Sequence, residues 1–299
     1  LRMKPESGWH GYWSNPGDAG LGMSLDWTLP DGFAARAPEY PVPDTLLISG
    51  LMNHVYKGEY AVFVPVRIPR DAEPGTTVPV SVDAQWLACT DEVCVPERAT
   101  LASAITIVKG EPPAPSAEIE RWTRRLPAPL DAQVSFALDP QTIRLAVPLP
   151  ASVALSDPHF FAASDRVVDY AAPQAFARAG NTLVITLRRP ATAPASPDAI
   201  AGVLRLNTAG DGLSFRAVPG PVPQGAEPIG AGGVPDLPAL PLLLLAALAG
   251  GLLLNVMPCV FPILSLKALS LARAGESEGQ ARREGIAYGA GVIVACLAL

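Results

Sequence analysis

The sequence predicts a mainly β protein: two immunoglobulin-like β-sandwich domains, followed by the start of an α-helical transmembrane domain. Three observations carry this. Pro occurs 33 times and Gly 26 times in 299 residues, and both are spread through the chain. That density suits turns and edge breaks better than helices. Short runs of β-branched and aromatic residues recur up to about residue 218, separated by turn residues. Finally, no Lys, Arg, Asp or Glu occurs from Leu237 to Leu266, which exceeds the ~20 residues a helix needs to cross a bilayer.

The first sandwich is expected over residues 1–109. Leu21 to Trp27, Tyr60 to Ile68, Thr77 to Trp86 and Leu101 to Val108 read as strands. Asn15-Pro16-Gly17-Asp18, Pro30-Asp31-Gly32 and Glu73-Pro74-Gly75 read as turns between them. Residues 110–117 form a stiff Pro-rich linker, and Ala117 to Leu126 suits a short helix. The second sandwich, 118–218, takes strands at Gln133 to Leu138, Thr142 to Val147, Thr182 to Arg188, Val203 to Asn207 and Leu213 to Val218. Residues 219–238 are a Pro/Gly tether.

The transmembrane region is expected over 239–299, with a first helix at about 239–270, a loop at about 271–284 and a second helix from about 285. Lys267, Arg273, Arg282 and Arg283 fall in or beside that loop. The excess of positive charge places the loop in the cytoplasm and residues 1 to about 238 outside the inner membrane, in a periplasm if the cell has one. The chain starts at Leu1 without an apolar signal segment, which suits a removed signal peptide or a fragment. It stops at Leu299 inside an apolar run too short to span, so the natural protein is expected to continue. The net charge of −6 and the lack of a basic stripe argue against a nucleic-acid partner.

Four cysteines are too few for a disulfide-stapled scaffold. Cys89 and Cys94 enclose Thr90-Asp91-Glu92-Val93 at a strand end, close enough for a disulfide's ~4.4–6.8 Å Cα separation. A bridge over so short a loop restricts the unfolded chain little, and short bridges suit reversible exchange. Asp91 and Glu92 disfavour a thiolate, which fits a dithiol that reacts when docked. Three readings stand: a redox-active dithiol, a structural disulfide, and a metal site. The last lacks ligands, since His10, His54 and His159 are the only histidines. Cys259 lies between Pro258 and Pro262 inside the apolar run. Prolines so placed interrupt a helix, and such a break needs protein or a water-lined cavity around it. Cys259 is therefore a candidate for redox chemistry at membrane depth, whereas Cys296 reads as a small apolar core residue.

Trp9-His10-Gly11-Tyr12-Trp13-Ser14-Asn15-Pro16-Gly17-Asp18-Ala19-Gly20, Cys89 to Pro96, and Asn255 to Lys267 together resemble the DsbD/ScsB family of membrane thiol:disulfide interchange proteins. The resemblance implies a protein-disulfide reductase of the bacterial inner membrane. Separately, no cofactor beyond its cysteines and no metal are expected. Cytoplasmic thioredoxin would reduce a membrane cysteine pair that includes Cys259. Electrons would then pass to a thioredoxin-like domain absent from this chain, and on to Cys89 and Cys94. The final acceptors would be periplasmic thioredoxin-fold proteins such as disulfide isomerases. By position Cys94 would form the mixed disulfides and Cys89 would resolve them. Relatives shield their pair with a cap loop bearing an aromatic residue, and Tyr56, in Val55-Tyr56-Lys57-Gly58, is the candidate here. Trp9, Tyr12 and Trp13 are expected to be core or interface aromatics. The alternative from another class is a membrane-anchored β-sandwich binding module with a structural disulfide.

Overall fold

The computed structural model describes residues 1–110, 114–194 and 196–229, together with Leu248 and Arg283. The expectations for 239–299, including Cys259 and Cys296, lie outside the described residues. Among the described residues no helix is long and apolar enough to cross a membrane. Contacts divide the chain into Leu1–Gly230 and Ala231–Leu299.

Two three-stranded antiparallel sheets dominate the first β region. One contains β1 (Gly11–Gly17), β3 (Asp44–Ile48) and β4 (Leu51–Tyr56), in the order β1-β4-β3. The other contains β2 (Ser24–Thr28), β5 (Thr77–Cys89) and β6 (Cys94–Thr106), in the order β6-β5-β2. Strict alternation along β5 buries Val80, Val82 and Ala84 while Asp83 and Gln85 face solvent, as a one-sided strand requires. The edge strand β6 tolerates Pro96, whose missing N–H would break an inner ladder.

The run from Tyr60 to Ile68, expected as one strand, is instead two short pieces. Tyr60–Ala61 pairs with Arg2–Met3, and Val66–Arg67 pairs with Ala34–Ala35. Pro65 supplies no backbone donor to continue the ladder between them. Gly17 sits at the irregularity of the β1–β4 pairing with φ +91°, and a Cβ there would collide with the Met52 carbonyl. Only glycine fits such a conformation readily.

Helix α1 (Ala117–Thr123) begins at Ser116, whose Oγ accepts from the Ile119 N–H at 3.3 Å. The second β region follows with β7 (Val134–Leu138), β8 (Thr142–Pro148), β9 (His159–Ala162), β10 (Ala175–Ala179), β11 (Thr182–Arg188), β12 (Ile200–Arg205) and β13 (Gly212–Pro219). These form one continuous hydrogen-bonded path, β9-β12-β13-β7-β8-β11-β10, in which β7 and β13 run parallel and the other neighbours antiparallel. Its apolar side chains share one core, with Phe136, Leu145, Leu183, Ile185 and Leu204 among the fully buried members.

The two β regions meet through aromatic and polar contacts. Trp13 and His54 pack edge-on against Phe161, with ring centroids 6.0 and 5.0 Å apart. Asn15 Nδ2 donates to the Ala162 carbonyl at 2.8 Å and to the Tyr170 hydroxyl at 2.9 Å. Arg205, on β12, pairs with Asp157 at 2.8 Å and reaches Asp44 of β3 at 3.9 Å.

Candidate active site: a disulfide at the tip of a long hairpin

Strands β5 and β6 pair in continuous register from Thr77↔Thr106 to Cys89↔Cys94. The pairing thus ends on the two cysteines. Thr90 shapes the turn: its N–H donates to the Val93 carbonyl at 2.8 Å, and its Oγ1 accepts from the N–H groups of Glu92 and Val93 at 3.2 and 3.0 Å. Threonine stabilises turns in this way by offering the backbone a local acceptor. Cys89 and Cys94 are joined by a disulfide, with Cα atoms 4.1 Å apart, close to the ~4.5 Å of a non-hydrogen-bonded antiparallel pair.

The two cysteines differ sharply in exposure. Cys89 is 1% exposed, while Cys94 is exposed on the edge strand. The turn beside Cys94 offers an exposed apolar side chain, Val93, and two exposed carboxylates, Asp91 and Glu92.

On its other flank Cys89 pairs with His10: the His10 N–H donates to the Cys89 carbonyl at 2.8 Å, and the Cys89 N–H to the His10 carbonyl at 3.0 Å. Tyr12, two residues on, lies on the same face as His10 and opposite Val55 of β4. Tyr12, Val55 and Cys89 form one small buried cluster, with Leu46 and Leu87 at its margin. Val55 is 0% exposed and Tyr12 5%. The inner cysteine is thereby screened by a valine and a tyrosine.

Tyr56 takes a different place from the one expected of a cap residue. Being the next residue along β4 after Val55, it projects to the opposite face of the strand. There it stacks on Tyr60, with centroids 4.2 Å apart, and donates its hydroxyl to the Pro41 carbonyl at 2.7 Å. It belongs to the aromatic cluster of Trp13, Tyr40, Tyr60 and Phe161. Gly11 lies opposite Tyr56, and the Tyr60 hydroxyl fills the space a Cβ would need. The structure therefore brings Cys89 and Cys94 together and does not bring Tyr56 to them. His10, Val55 and Thr90 are the site residues that the sequence did not single out. Two-residue alternation through His10 and Tyr12 was the available signal for the first.

A cleft of about 490 Å³ lies on the reverse face of the hairpin, lined by Trp86, Ala88, Val95 and Glu97 together with Met3 and Trp9. Alternation places Ala88 and Val95 on the face away from the disulfide. Among the described residues no three His, Cys, Asp or Glu side chains gather as metal ligands.

The His10 Nε2 lies 3.3 Å from the Tyr12 hydroxyl. Burial holds the His10 imidazole below its ordinary pKa, with Asp91 opposing that shift and Lys57 adding to it. Burial also raises the Tyr12 phenol.

A disulfide at a hairpin tip, with Cys89 buried and Cys94 exposed, is an arrangement suited to thiol:disulfide exchange. Residues 1–105 match the family described as thiol:disulfide interchange protein DsbD, N-terminal, the family that the sequence motifs of this region resemble. The fold over 74% of the chain is similar to 87% of the crystal structure of the N-terminal periplasmic domain of ScsB from Proteus mirabilis, with 16% identity and a TM-score of 0.52. No curated protein matches the chain.

Proposed function

We propose that this chain supplies the outward-facing dithiol of a protein-disulfide reductase in the bacterial inner membrane. Reduced Cys94 attacks the disulfide of a periplasmic thioredoxin-fold protein and forms a mixed disulfide. Cys89 then attacks Cys94, releasing the reduced partner and restoring the Cys89–Cys94 bond. Electrons reach the pair from cytoplasmic thioredoxin through a membrane cysteine pair containing Cys259, by way of a thioredoxin-like domain. The observation that carries this reading is the division of exposure: Cys94 is open to a partner sulfur while Cys89 is 1% exposed. Exchange proceeds by thiolate attack on one accessible sulfur, and this pair offers Cys94.

The test uses the chain with Cys259 and Cys296 replaced by Ser, so that only the pair can react. Added to an oxidised thioredoxin-fold protein, the Cys89→Ala variant should accumulate a mixed disulfide on a non-reducing gel. Cys94→Ala should give none and should abolish turnover. Equal trapping by Cys94→Ala would sink the assignment. A reduction potential for the pair below roughly −300 mV would instead mark a structural bridge.

A further inference from the structure

We propose that His10 is the proton acceptor that activates Cys89 for the resolving step, held in the required tautomer by Tyr12. The inference rests on the exchange function proposed above and concerns the same site.

Three strands set the geometry. His10, Cys89 and Cys94 are directly opposed neighbours in one row across the sheet. Opposed residues in antiparallel strands project from the same face with Cβ atoms ~4.5–5.5 Å apart. The His10 side chain therefore stands beside Cys89 on the flank away from Cys94. Like Cys89 it is buried, at 3% exposure.

A buried thiol has a particular need for such a neighbour. Its ionised form is disfavoured without solvent, and Asp91 and Glu92 in the turn disfavour it further. Cys94, being exposed, can release its proton to water, but Cys89 requires an acceptor within the protein. His10 is the only imidazole in the row. The groups that act on it are Asp91 in the turn, Lys57 after β4, and Tyr12 on its own strand; the β5 and β4 residues packed there, Cys89 and Val55, are uncharged when Cys89 is a thiol or a disulfide. Its lowered pKa keeps it neutral, and hence able to accept, over a wider range toward acid. When the Tyr12 oxygen accepts from Nε2–H, the free lone pair lies on Nδ1. That nitrogen takes the proton.

The step balances as follows. In the mixed disulfide Cys94 is bonded to a partner sulfur and Cys89 is a thiol. The proton moves from Cys89 Sγ to His10 Nδ1. The Cys89 thiolate forms a bond to Cys94 Sγ, the Cys94–partner bond breaks, and the partner sulfur leaves with the electron pair. The Cys89–Cys94 pair is oxidised by two electrons and the partner reduced by two. His10 returns its proton to the departing thiolate or to water.

The test follows the reduced chain, again with Cys259 and Cys296 as Ser, after addition of dithiobis(nitrobenzoate). Attack by Cys94 releases one coloured thiolate, and resolution by Cys89 releases a second. In the wild-type pair the second release should reach a plateau above an inflexion lying below pH ~6.5, the ordinary imidazole value. In His10→Gln it should be slower by about tenfold or more at neutral pH and should climb with thiol ionisation. Tyr12→Phe should slow it less. A wild-type rate that climbs about tenfold per pH unit from about pH 5 to pH 8 overturns the proposal. So does a folded His10→Gln whose second release matches wild type within about twofold. Should His10→Gln fail to fold, the wild-type profile decides alone. Absence of the first release would defeat the exchange function itself, whereas a normal first release with an unaltered second defeats only the role of His10.

Discussion

The two β regions bury different chemistry. The second encloses one large apolar core in which Phe136, Ile143, Leu145, Phe160, Leu183 and Leu204 are almost fully buried. The first has smaller clusters, and places His10, Asn15, Asn53 and His54 among its buried residues. Apolar burial supplies most of the favourable folding energy, and buried polar groups contribute only when their partners are in place. The second region thus buries the larger apolar core. The first carries the Cys89–Cys94 disulfide on a thin cluster of Tyr12, Val55 and Leu87, at the open tip of a hairpin. The largest apolar core and the disulfide thus lie in different halves of the Leu1–Gly230 unit.

The largest test of that contrast is Phe160→Ala. Phe160 is 1% exposed and stacks on Phe215 at 5.4 Å, so the change should cost about 3–5 kcal/mol, read by urea denaturation. The exchange rate of the folded fraction should be unchanged; a slower folded fraction would show that the halves are coupled chemically.

A smaller effect is expected from acid. Burial lowers His54 to about 4 and His159 to about 3, with the His54 imidazole and Arg205 adding to the shift at His159. Both are below the ~6.5 of an unfolded histidine. Between those values the unfolded chain binds more protons than the folded one, so stability falls as pH drops from about 6.5 and is fully present above it. A loss of roughly 2–3 kcal/mol between pH 7 and pH 5.5 is expected from denaturation midpoints. His54→Gln should flatten that slope, and an unchanged slope would refute the assignment.

The smallest test separates two neighbours on β4. Tyr56→Phe removes a hydrogen bond worth about 1 kcal/mol and should leave reduction of the disulfide by a small thiol unaffected. Val55→Ala should speed that reduction severalfold by uncovering Cys89. The reverse pattern would restore Tyr56 as the shield.

Much of this architecture was legible in the sequence. Thr182–Arg188 follows directly from its β-branched pattern, and Ser116 with the acidic first turn marks α1. The cysteine pair was legible because its spacing suits a hairpin end. What escaped the sequence has physical reasons. β9 and β10 are short, and their partners β12 and β11 decide their conformation more than local pattern does. β4 carries Asn53 and His54 in buried positions, which breaks the expected polar-out alternation; His54 Nδ1 is satisfied by the Asn15 carbonyl at 2.9 Å, a contact between strands that no local window reveals. The place of Tyr56, in the aromatic cluster and not beside Cys89, has a related reason. The aromatic residue drew the expectation, while the pleat turned its neighbour Val55 toward the sulfur.

The unbroken register of β5 and β6 bears on what happens when the disulfide opens. The sulfur bond closes only the final rung of a ladder that runs back to Thr77 and Thr106, where the two hydroxyls lie 3.1 Å apart. The remaining rungs, and the pairing of Cys89 with His10, are backbone contacts that do not use the sulfur bond. Under the proposed exchange, oxidised and reduced forms are therefore expected to share one backbone, with little rearrangement of the frame around the pair.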